Sequence, residues 1–135
     1  MRKKILLVED NPELLELLRL SFKAAGFATA TASNGLKALE LTRAQSPDLV
    51  VLDVMLPELD GLAVCDILRQ DPATAGIPIV MLTGLSSQLS RLAGLDCGAV
   101  DYLVKPVNPS ELVRKTKELL RNKPRPPACE TQVIT

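Results

Sequence analysis

Short apolar runs of strand length alternate with segments of helical period along this chain, and that rhythm constrains the fold more than any other feature. The runs are Ile5 to Val8, Leu49 to Leu52, Ile77 to Leu82 and Tyr102 to Val104, with a weaker one at Ala28 to Ala32. Between the first two runs, Leu14, Leu15, Leu17, Leu18 and Phe22 recur at helical spacing. Asn11 is placed to cap that helix, Pro12 to open it and Gly26 to stop it. After Val107 the same device returns: Asn108 caps, Pro109 opens, and Glu111 is placed to reach back as in a capping box. The spacing predicts further helices over roughly 35–45, 61–70 and 87–97. Strand and helix in alternation mean βαβ units with right-handed crossovers, hence a parallel sheet covered on both faces. Near-continuous runs such as Leu49-Val50-Val51-Leu52 fit strands buried on both sides. Five such units form an α/β fold, a doubly wound three-layer (βα)5 sandwich. Ligands of open parallel sheets bind where strands end, near a switch point.

Composition narrows the function classes. Lys plus Arg number 16 and Asp plus Glu number 16, so no long-range field draws the chain to nucleic acid or an acidic membrane surface. Aromatic residues make up 2% of the chain, too few for a base-stacking platform. Direct nucleic-acid binding and a membrane location are therefore not expected, and no apolar run is long enough to span a bilayer. Three widely spaced cysteines, Cys65, Cys97 and Cys129, with no histidine, argue against a zinc site or a disulfide framework and fit a reducing cytoplasm. Residues 1–121 read as one domain. Residues 122–135, beginning Asn122-Lys123-Pro124-Arg125-Pro126-Pro127, read as a Pro-rich linker or tail.

The strand ends carry the chemistry. Glu9-Asp10 follow the first run, Asp53 the third, Thr83 the fourth and Lys105 the fifth. Each has a plainer explanation: acids complement a helix N-terminus, Asp forms turns, Thr caps helices, and a lysine before proline sits in a solvated loop. Four separate strand ends each delivering a polar group of this kind are harder to obtain from turn chemistry, because hydrophobic patterning makes no demand on which residue follows. Three carboxylates in one crevice call for a cation, and oxygen donors alone point to Mg2+.

The chain resembles the receiver domain of two-component response regulators over about residues 3–121. The resemblance rests on Leu7-Val8-Glu9-Asp10-Asn11, on Asp53-Val54-Met55-Leu56-Pro57-Glu58-Leu59-Asp60-Gly61, on Thr83-Gly84, and on Asp101-Tyr102-Leu103-Val104-Lys105-Pro106. It implies a flavodoxin-like strand order of 2-1-3-4-5, which the run pattern alone does not determine. It implies that Asp53 accepts a phosphoryl group from the phosphohistidine of a histidine kinase or phosphotransfer protein, assisted by Thr83 and Lys105. Asp10, Asp53 and the Met55 carbonyl would bind Mg2+, with Glu9 acting through water, and Lys105-Pro106 would be a cis peptide. Thr83 and Tyr102 would switch the face made by the fourth helix, fifth strand and fifth helix, roughly residues 86–121. Receivers that pair through this face often carry two acids before the aromatic and an arginine on the last helix. Here Val100 and Lys115 stand at those places, so a monomer or a weak phosphorylation-dependent dimer is expected.

Two other classes fit the sequence less well. Phosphatases that form an aspartyl phosphate carry a second acid two residues after the nucleophile, where this chain has Met55, so turnover of an external phosphoester is not expected. Neither a Gly-x-Gly-x-x-Gly turn nor a Walker loop follows any strand. The chain also reads as a module from a longer DNA-binding regulator or hybrid kinase, with an attached output domain or an unknown output partner.

Overall fold

A computed structural model describes residues 2–57, 59–84 and 99–122 of the 135-residue chain. Five strands, β1 (Lys4–Val8), β2 (Ala28–Ala32), β3 (Leu49–Asp53), β4 (Ile79–Thr83) and β5 (Asp101–Val104), form one sheet in the order β2-β1-β3-β4-β5. Every pair is parallel. The helices are α1 (Pro12–Ala24), α2 (Gly35–Gln45), α3 (Gly61–Gln70) and α4 (Pro109–Asn122). The helix expected over 87–97, together with Glu58, Leu85, Cys97, Cys129 and residues 123–135 of the expected 122–135 tail, lies outside the described residues; Asn122 ends α4, the C-terminal helix, rather than starting the tail.

Alternation along the central strands builds two cores, one on each face of the sheet. Leu6, Val8, Val50, Leu52 and Met81 meet Val64, Cys65 and Leu68 of α3 and Ala38 and Leu39 of α2. Ile5, Leu7, Val51, Val80 and Leu82 meet Leu18 and Phe22 of α1 and Leu112 of α4 on the other face. Strands β1, β3 and β4 are thus covered on both sides, while β2 and β5 are the half-buried edges.

The caps explain where the helices start. Asn11 Oδ1 accepts hydrogen bonds from the Glu13 and Leu14 amides at 2.9 and 3.2 Å, ahead of Pro12. Asn34 accepts from the Lys37 amide at 2.8 Å, and Asp60 from the Ala63 amide at 2.9 Å. Gly26, at φ 96°, takes the left-handed turn that carries the chain away from α1. Before α4, Asn108 accepts from Ser110 and Glu111 amides at 2.9 and 3.4 Å. Among the described residues no bond returns from the Asn108 amide to Glu111, so only half of the expected capping box forms.

Strand limits differ from the sequence reading in two useful ways. The fourth strand starts at Ile79 rather than Ile77, because Pro78 has no N–H to give the ladder; its carbonyl still accepts from the Val50 amide at 3.0 Å, while the Ile77 amide closes a turn onto Thr74. Asp53 and Thr83 are the last residues of β3 and β4, not the first residues after them. Their side chains are therefore held by the sheet itself.

Candidate functional site

The carboxyl ends of β1, β3, β4 and β5 meet in one cleft. Glu9 follows β1, and its amide donates to the Ala32 carbonyl at the end of β2, tying the loop to the sheet at 3.1 Å. Its side chain is buried, as is that of Asp53, while Asp10 faces solvent. One carboxylate oxygen from each of Glu9, Asp10 and Asp53 lies within 4.8 Å of the others. Thr83 is buried at the end of β4, and its carbonyl accepts from the Lys105 amide at 2.7 Å, so β4 sets where the lysine leaves β5.

Lys105 Nζ sits between two acids that are 96 and 52 residues away in sequence. It donates to Asp53 Oδ2 at 3.0 Å and to Glu9 Oε2 at 3.3 Å, and lies 3.0 Å from Glu9 Oε1 without hydrogen-bond alignment. The other Asp53 oxygen, Oδ1, accepts from the Met55 amide at 3.0 Å. Glu9 Oε2 also accepts from the Asn11 amide at 3.1 Å. Among the described residues Glu9 Oε1 is buried without an aligned hydrogen bond, and the Lys105 ammonium 3.0 Å away is its charge partner.

Electrostatics reinforce the point. Burial pushes the Glu9 carboxyl above its ordinary 4.5; the Lys105 and Asn11 hydrogen bonds oppose the rise, and the Asp53 charge adds to it. For Lys105 burial favours the neutral amine, but hydrogen bonds and charge from Asp53 and Glu9 outweigh it and hold the ammonium above its ordinary 10.5. Among the described residues three carboxylates face one ammonium, so negative charge exceeds positive there. An all-oxygen donor set with two buried acids and one solvent-facing acid fits Mg2+, a hard cation that keeps several waters.

A raised folded-state pKa means that the Glu9 contribution to stability is full below the unfolded value near 4.5 and is lost as pH rises through the folded value. A divalent cation needs the ionised acid, so its stabilisation should grow with pH across the same window. Melting temperatures with and without Mg2+ over a pH series should show this growth in the wild type and a flatter profile in Glu9→Gln. An identical profile in the variant would remove Glu9 from the account.

The remaining sequence candidates are placed as follows. Met55 is the second residue of the β3–α3 loop and is 60% exposed. The Lys105-Pro106 peptide is cis. Tyr102, opposite Met81 in the β4–β5 register, is half-buried against the α2/α3-side core. Asp101 beside it pairs with Lys115 of α4 at 2.7 Å, and that hydrogen bond raises the lysine pKa. Sequence reasoning missed the part played by Gly61. A Cβ there would lie 2.1 Å from the Asp53 carbonyl oxygen, and the Gly61 amide donates to the Val54 carbonyl at 2.9 Å. The glycine lets α3 begin directly against the backbone of Asp53; its only sequence signal was its place after Asp60 in the β3 motif.

Two surface concavities among the described residues, about 780 and 500 Å3, run along α2 and between α1 and α4. Neither includes Glu9, Asp10, Asp53 or Lys105. No described helix is long and apolar enough to cross a membrane.

Fold and cleft define a doubly wound α/β protein with an acidic, cation-competent site at the carboxyl edge of its sheet. Residues 5–117 match the response regulator receiver domain model, and the chain belongs to that family. It is 44% identical over 128 residues to the DNA-binding response regulator MtrA of Mycolicibacterium smegmatis, covering 95% of this chain and 55% of the relative. It is 43% identical over 121 residues to the alkaline phosphatase synthesis transcriptional regulatory protein PhoP of Bacillus subtilis, covering 90% of this chain and 50% of that protein. The chain thus spans about half the length of these curated relatives. Among solved structures, a putative response regulator from Chloroflexus aurantiacus superposes with TM-score 0.85 at 37% identity, covering 90% of this chain and 99% of that one. The receiver domain of a sensor histidine kinase from Pseudomonas aeruginosa, solved with a magnesium ion coordinated in its active site cleft, superposes with TM-score 0.81 at 30% identity, covering 87% and 97%.

Proposed function

We propose that the chain is the phosphoacceptor of a two-component system and that Asp53 takes the phosphoryl group from a phosphohistidine. The observation that carries this is the Asp53 carboxylate at the end of β3, buried, with Lys105 Nζ 3.0 Å from one oxygen and the Met55 amide 3.0 Å from the other. In the transfer a carboxylate oxygen of Asp53 forms the new O–P bond as the N–P bond to the donor imidazole breaks, leaving an acyl phosphate. Lys105 neutralises charge on the phosphoryl oxygens, and the Thr83 hydroxyl donates to one of them. Asp10, Asp53 and the Met55 carbonyl would hold Mg2+ directly, with Glu9 acting through water. When bound, Mg2+ supplies charge neutralisation for the transferring group.

A histidine kinase or phosphotransfer protein is the donor partner. With Met55 where aspartyl-phosphate phosphatases carry an acid, the chain assists its own phosphorylation and dephosphorylation and does not turn over an external phosphoester. The lengths of the relatives favour a second reading alongside the first, in which this receiver controls an attached DNA-binding output domain.

Phosphorylation would draw Thr83 inward and move Tyr102 deeper beside β4, changing the face formed with α4. Asp101 already has Lys115 as partner within the chain, which favours a monomer or a weak phosphorylation-dependent dimer. Beryllofluoride with Mg2+ mimics the acyl phosphate and should change Tyr102 fluorescence in the wild type but not in Asp53→Asn. Light scattering on the same samples reads association: a doubled mass means pairing through the output face. An unchanged Tyr102 signal would sink the switching account.

A further inference from the structure

We propose that Gly35, the first residue of α2, is a positioning residue for the cleft, holding the β3–α3 loop so that Asp53 and Met55 are set for the cation and phosphoryl group. This inference rests on the reading of the cleft given above, and it concerns a residue that touches neither ligand.

Gly35 is buried, and a Cβ built on it would meet the Leu59 carbonyl oxygen at 2.4 Å, Val64 Cγ2 at 2.9 Å and Leu59 Cβ at 3.0 Å. The nearest of these is backbone, which cannot rotate away as a side chain does. The first turn of α2 therefore rests on the loop that runs from Asp53 to α3, at a distance only glycine permits. That turn is itself fixed by the Asn34 cap on the Lys37 amide. The loop is short and tied at several points. The Leu59 amide donates to the Pro57 carbonyl at 2.7 Å, the Gly61 amide to the Val54 carbonyl at 2.9 Å, and the Met55 amide to Asp53 Oδ1 at 3.0 Å. Leu56 is buried between these ties, while the Met55 side chain points outward. The Leu59 to Pro57 and Gly61 to Val54 ties couple residue 59 to the segment from Val54 to Pro57, so pushing Leu59 away from α2 pulls on the stretch that carries the Met55 amide that orients Asp53. Gly61 blocks relief on the other side, because α3 already abuts the Asp53 backbone. Helix α2 thereby has a mechanical route to the cleft.

The test compares wild type, Gly35→Ala, Asn34→Ala and Leu18→Ala by two-dimensional NMR. Leu18 is buried in the opposite core, so its truncation lowers stability without touching the loop. Two quantities are read: hydrogen exchange of the Met55 amide in metal-free protein, and Mg2+ affinity from shifts of cleft amides. Gly35→Ala should accelerate Met55 exchange and weaken Mg2+ binding about 10-fold, as loss of an outer supporting contact does. Asn34→Ala, which loosens the first turn without a clash, should do both to a smaller extent and decides the matter alone where Gly35→Ala does not fold. Leu18→Ala should change neither quantity beyond its effect on global stability. Wild-type values in the folded Gly35→Ala protein, or equal changes in Leu18→Ala, would overturn the proposal. If wild-type protein shows no Mg2+ shifts that Asp53→Asn removes, the cation-site reading fails. The Met55 exchange rates of the four metal-free proteins then still decide whether Gly35 positions the loop.

Discussion

Asp53→Asn should lose covalent phosphate uptake from a small acyl-phosphate or phosphoramidate donor by at least about a thousandfold, because the amide has no nucleophilic oxygen anion to attack phosphorus. The substitution keeps the shape of the side chain and an acceptor for the Met55 amide. Lys105 retains Glu9 as a partner, and one of three crowded carboxylates is removed. The fold should therefore survive, which separates lost chemistry from lost structure. Initial rates of mass gain on the intact protein measure the effect, alongside a melting curve. Uptake at the wild-type rate in a folded Asp53→Asn protein would move the acceptor elsewhere.

Gly61→Ala should produce the largest loss of stability among single-methyl additions near the cleft, about 3 kcal/mol, at the upper end of overpacking costs. The added Cβ would lie 2.1 Å from the Asp53 carbonyl oxygen, 2.8 Å from Val54 Cα and 2.9 Å from the Asp53 carbonyl carbon. All three are backbone atoms of β3 and the turn leaving it, so no rotamer change offers relief. Either α3 withdraws, breaking the Gly61 to Val54 hydrogen bond, or the end of β3 shifts and takes Asp53 with it. Urea unfolding should show a lower midpoint at an unchanged slope. A loss below about 1 kcal/mol would mean that α3 can move freely and that Gly61 is not what sets its distance from Asp53.

What could be read from residues alone followed from periodicity and punctuation. Asn11-Pro12 and Asn108-Pro109 mark their helices because capping and proline geometry act within a few residues. The ranges 35–45 and 61–70, read from spacing and length, coincide with α2 and α3. Strand order was not legible in this way: β1 lies between β2 and β3, and crossover choice depends on packing between distant segments, so only the family resemblance supplied it. Pro78 shortened the fourth strand because a missing donor matters only once a neighbouring strand is known.

The cleft shows the same division. Its acids and lysine were found because each follows an apolar run. That Lys105 bridges Glu9 and Asp53, and that Glu9 Oε1 remains without a hydrogen bond, depends on contacts across 96 and 52 residues that no pattern encodes. The packing roles of Gly35 and Gly61 were not legible for a related reason. A glycine required by the approach of another backbone looks, in sequence, like any glycine at a helix start.

The central claim concerns one oxygen of one residue, and chemistry can mark it. Protein incubated with a phosphodonor and Mg2+ is treated with borohydride, which reduces an acyl phosphate to the alcohol, and is then mapped by peptide mass spectrometry. The expected result is homoserine in place of aspartate at position 53, dependent on the donor and absent without it. Phosphate retained on a serine or threonine, or reduction at any other acid with position 53 intact, would contradict the account.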